Sequence, residues 1–93
     1  MPISRADIVT ESGTELMNRL CKHWAHKLHV EQDEGHARVA FDEGSCLMQA
    51  QNDKLVVALE ALDDASLDRL EQVVDEHLAR MAGEEKLDIV WEN

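Results

Sequence analysis

A chain of 93 residues supports one hydrophobic core and leaves too little for a second, so a single domain over residues 1–93 is expected. Nine Lys and Arg stand against 20 Asp and Glu, a net charge of −11 with neutral His, which opposes binding to nucleic acid or to anionic membrane surfaces. With no Tyr, one Phe and two Trp there is little surface for stacking bases or sugars, while an apolar content of 44% argues for a folded core.

The opening residues, Met1-Pro2-Ile3-Ser4-Arg5-Ala6-Asp7, lack the apolar run of a signal peptide, and no stretch approaches membrane-spanning length. Cys21 and Cys46 are too few for a secreted disulfide framework, and both fall on apolar faces. Reduced, buried thiols and a cytoplasmic location are the expectation.

In chain order, a first strand is predicted over about Ser4 to Thr10. Ser12-Gly13-Thr14-Glu15 matches a capping box, in which Ser12 and Glu15 satisfy free amide donors reciprocally. The helix it opens carries Leu16, Met17, Leu20, Cys21 and Trp24 on one face, with Glu15 and Arg19 paired across a turn on the other. After Lys27 the period becomes two. Leu28 and Val30, then Val39 and Phe41, then Cys46, Met48 and Ala50, then Leu55, Val57 and Leu59 mark four inward-facing strands. Turns at Asp33-Glu34-Gly35, Asp42-Glu43-Gly44 and Asn52-Asp53 join them as an antiparallel meander.

A second helix begins near Asp63-Asp64, whose carboxylates suit its N-terminal dipole and cap it. Leu67, Leu70, Val74, Leu78 and Met81 form its apolar stripe, and Gly83 is its stop. A sixth strand is predicted from Leu87, Ile89 and Trp91, with Asp88, Val90 and Glu92 facing the other way. The fold class is therefore α+β, an antiparallel sheet of about six strands with two helices on one face. The order resembles TATA-binding-protein-like folds, a likeness of architecture that does not carry DNA binding to a chain of charge −11.

Four segments carry a family resemblance: Leu20-Cys21-Lys22-His23-Trp24-Ala25-His26-Lys27, Gly44-Ser45-Cys46-Leu47-Met48, Leu70-Glu71-Gln72-Val73-Val74-Asp75-Glu76-His77-Leu78 with Arg80, and Leu87-Asp88-Ile89-Val90-Trp91. Together they resemble a bacterial family catalogued as domain of unknown function 2218. The resemblance implies a small free-standing protein, with a context in iron handling and a siderophore-interacting flavin reductase as partner. It implies no reaction and no site residues. The chain itself holds no Gly-rich dinucleotide fingerprint.

No nucleophile–base–orienter set is recognisable. Ser4, Ser12, Ser45 and Ser66 fall at strand, cap, turn and helix-start positions, outside any Gly-x-Ser-x-Gly elbow. The carboxylates are spread along polar faces, and no EF-hand or Cys-x-x-Cys spacing occurs. A non-enzymatic accessory or interaction domain is the primary expectation.

Histidine supplies the alternative, a metal- or haem-binding protein. His29 and His36 read as surface strand residues. His77 falls inside the apolar stripe of the second helix, where a buried imidazole needs a hydrogen-bond partner or a metal. His23 and His26, three apart on the first helix, face one locus. The three imidazoles His23, His26 and His77 form a candidate site for a divalent or ferric ion. No other cofactor is evident. The sheet face opposite the helices should carry Val9, Ala40, Leu47, Val56, Ala58 and Val90, a set apolar enough to predict a homodimer through that face.

Overall fold

In strand β1 (Ile3–Val9) every second residue is buried: Ser4, Ala6 and Ile8 point inward while Ile3, Arg5, Asp7 and Val9 point out. The meander β2 (His29–Asp33), β3 (His36–Phe41), β4 (Gly44–Ala50) and β5 (Lys54–Ala61) follows; β3 and β4 alternate in the same way, β5 also buries Val56 on its outer side, and in β2 only Val30 is half-buried. The computed structural model describes all 93 residues and holds two helices, α1 (Gly13–Trp24) and α2 (Asp64–Ala82). All strand pairs are antiparallel, in the order β1-β5-β4-β3-β2. Strand β1 thus crosses the whole chain to pair with β5, Ile3 opposite Glu60 and Val9 opposite Lys54.

Both helices cover one face. Helix α1 lies over β2 to β5 and α2 over β5, β1 and β4, and the helices touch each other. Leu16, Met17, Leu20, Cys21 and Trp24 of α1 meet Leu67, Leu70, Val74 and Leu78 of α2 above Val39, Cys46, Met48, Leu55, Val57 and Leu59. Each fully buried Leu or Val in this cluster contributes about 1.5–3 kcal/mol. The opposite face has no covering layer.

The two helix starts differ. At α2 the Asp63 carboxylate accepts from the Ser66 amide at 2.8 Å, the expected cap. At α1 the expected capping box does not form: Ser12 makes no side-chain cap bond, and its own amide donates to the Thr10 hydroxyl at 3.0 Å. Thr10 thus takes the Ser12 amide that Glu15 was expected to accept, and its hydroxyl donates in turn to Glu85, beyond α2, at 2.6 Å. Gly13 answers to crowding, since a Cβ there would lie 3.2 Å from the Lys54 carbonyl oxygen. Gly83 ends α2 at φ +63°, a left-handed position that glycine adopts without strain.

The expected sixth strand is corrected to a single bridge. Arg5 and Glu92 exchange two backbone hydrogen bonds, 2.9 and 2.8 Å, and no further rung forms. Side chains hold the segment instead: Leu87, Ile89 and Trp91 are half-buried against the core while Val90 faces solvent. Alternation was read correctly there, but burial beneath α2 satisfies it without a ladder. No helix is long and apolar enough to cross a membrane.

Candidate functional site

Two places gather chemistry: the rim between the helices and the open sheet face. At the rim, α1 and α2 bring His23, Trp24 and His77 together. The His23 and His77 ring centroids are 5.1 Å apart and tilted by 54°, and Trp24 lies 5.3 Å from His77. Phe41 stands edge-on to Trp24 at 5.2 Å and completes the apolar backing. His77 is half-buried, at the flank of its stripe, while His23 is exposed.

The orientation of His77 is fixed by its own helix. Its Nδ1 lies 2.7 Å from the Val73 carbonyl oxygen, one turn back. A carbonyl only accepts, so Nδ1 carries the hydrogen, and in the neutral ring Nε2 keeps a free lone pair. The hydrogen-bond partner expected for this imidazole is therefore present.

His26 does not join the pair. Helix α1 stops at Trp24, whose carbonyl accepts from both Lys27 and Leu28, and His26 is exposed in the turn that follows, outside the contact between the His23 and His77 rings. No three His, Cys, Asp or Glu side chains gather as a metal centre would require, so the expected three-imidazole cluster is corrected to the pair His23 and His77. His29 and His36 sit on strands, exposed, beside Glu31 and Asp33.

Cys21 and Cys46 are free and buried, as expected. Burial pushes the Cys46 thiol up to about 12, with Cys21 adding to the rise, and burial also raises Cys21. Neither is a ready thiolate at neutral pH.

The open face has a patterned surface. Two rows of side chains cross it, Arg5-Ala58-Leu47-Arg38-Glu31 and Asp7-Val56-Gln49-His36-Asp33. Both have apolar groups near the middle and charges at the ends. Leu47 is 48% exposed, whereas Val56 is covered to 9% by its neighbours. A shallow concavity of about 540 Å³ spans Leu47, Val56, Ala58 and the Arg38 edge. Of the other residues expected on this face, Ala40 is half-buried and Val9 is 79% exposed at the β1 edge.

The charges here are tied to one another. Arg5 donates to Asp7 at 3.0 Å, and Lys54 stands 3.8 Å from the same carboxylate. That hydrogen bond, and then the two positive charges, hold the Asp7 carboxyl below its ordinary value. Arg38 and His29 flank Glu31 at 3.7 and 3.4 Å. Arg5, Arg38 and Lys54 face Asp7, Glu31, Asp33, Glu60 and the bridge partner Glu92, leaving two net negative charges on this face of a chain carrying −11. Sequence patterning found Val9, Ala40, Leu47, Val56 and Ala58 on this face and missed Ile3, which points out beside them; its near-neutrality needed the register, which sets which charges share it.

The model of a family described as "Uncharacterized protein conserved in bacteria (DUF2218)" matches residues 5–92. Among solved structures, the NMR structure of PA4090 from Pseudomonas aeruginosa is similar at 38% identity and a TM-score of 0.84, covering 99% of this chain and 96% of that one. No curated protein matches.

Proposed function

We propose that this chain, which belongs to the bacterial family of domain of unknown function 2218, is a non-enzymatic interaction module whose working surface is the open sheet face. The near-neutral charge of that face on a strongly acidic chain carries the reading. An apolar centre inside a polar rim is the anatomy of a recognition surface. Its occupant is a second copy of the chain, because the face complements itself. A two-fold axis along β4 lays Leu47 against its counterpart and Arg5 over Glu31 of the other copy. Asp7, which comes over the other copy's Asp33, keeps its own Arg5 and Lys54.

The iron-handling context implied by the family resemblance belongs to this reading, with a siderophore-interacting flavin reductase meeting the module. Light scattering at about 100 μM protein tests the dimer, a concentration that populates even weak association. A dimer that Leu47→Glu converts to a folded monomer is expected. A wild-type monomer at that concentration, or a dimer indifferent to Leu47→Glu, overturns the assignment. Binding of the reductase to a wild-type monomer, lost in Leu47→Glu, would overturn the second copy as occupant and leave the face to the reductase.

A further inference from the structure

We infer that His23 and His77 form a binding site for a first-row divalent cation at the rim between the two helices, independent of the open face. Two imidazoles on one tetrahedral ion, with metal–nitrogen bonds of about 2.0–2.1 Å, have ring centroids about 5 Å apart. The His23 and His77 centroids stand 5.1 Å apart. The second observation is the bond behind the ligand. A metal-binding histidine characteristically donates its other ring N–H to a carboxylate or backbone carbonyl, which fixes tautomer and orientation. His77 makes that bond, Nδ1 to the Val73 carbonyl at 2.7 Å, and leaves Nε2 as the ligand atom.

The surroundings suit an open, exchangeable site. Trp24 and Phe41 form an apolar backing on one side, and exposed His23 admits solvent on the other. Two protein ligands leave the remaining positions to water or to a chelator carried with the ion. Imidazole donors rank copper above nickel and zinc. The cysteines take no part, being buried thiols held protonated.

Trp24, 5.3 Å from His77, is a built-in reporter. In a Trp91→Phe background it is the one indole left, and copper(II) bound to the pair quenches it by contact. Titration with copper(II) chloride to about 100 μM is expected to saturate the quenching at one ion per chain. His77→Ala and His23→Ala each weaken binding by about tenfold or more, while His26→Ala leaves it unchanged. His23 is exposed, so its substitution leaves the fold intact and keeps the test decisive if His77→Ala unfolds. Absence of quenching, quenching equal in all variants, or a His26→Ala loss matching that of His23→Ala overturns the site.

Discussion

The Asp63 carboxylate starts α2 by accepting the Ser66 amide, and that bond is the leading cause of its lowered pKa. A carboxyl depressed in the fold stabilises it above the ordinary value of 3.8 and loses that contribution as pH falls through the lower folded value. Asp63→Ala should therefore lower the melting temperature at pH 7 and converge on wild type at the most acidic pH at which both fold. Asp63→Asn, which still accepts the amide, should lose less, and thermal denaturation at the two pH values checks both outcomes. Gly44 sets a steric limit: a Cβ there would overlap the Glu60 carbonyl oxygen across the β4–β5 pair. Gly44→Ala is expected to cost about 1–3 kcal/mol in urea unfolding, by forcing the two strands apart. The Asp63 cap was legible in the sequence because it is local. The failure of the Ser12 box was not, since the Thr10 hydroxyl that takes the Ser12 amide is itself engaged by Glu85, 75 residues away.

At the scale of elements, periodicity placed both helices and the five paired strands, because each turns its apolar side chains toward the common core. Strand order was beyond it: alternation says which side of a strand is buried and nothing about which neighbour it meets. The same limit promoted Leu87–Trp91 to a strand, where half-buried side chains share one backbone bridge. His26 failed for a related reason, as helical spacing holds only while the helix lasts and α1 ends two residues earlier. The Trp91 indole N–H is buried without a partner in the chain. Trp91→Phe removes that donor and keeps most of the contact, so it should fall within about 1 kcal/mol of wild type by urea denaturation. Trp91→Ala should cost about 2 kcal/mol or more, since it uncovers the core beside β1.

For the whole molecule, charge dominates. Two copies each carrying −11 repel, and the near-neutral sheet face is where they approach at least cost. Salt screens that repulsion while leaving apolar contact intact, so sedimentation should show dimerisation tightening between about 20 and 300 mM salt. Weakening instead would mean that the Arg5–Glu31 pairs across the interface outweigh the net repulsion. No shift of duplex DNA in a gel at physiological salt is expected from a chain with no basic stripe. The long reach from β1 to β5 has a further consequence, for the order in which the protein is made. Strand β1 is made before its partner, whose residues follow 45 to 57 positions later. At about 5–20 residues per second the nascent β1 stays unpaired for several seconds, while the hairpins β2 to β5 close locally behind it. Arg5 and Asp7, alternating with its apolar residues, give the waiting strand charges that disfavour pairing with another nascent chain.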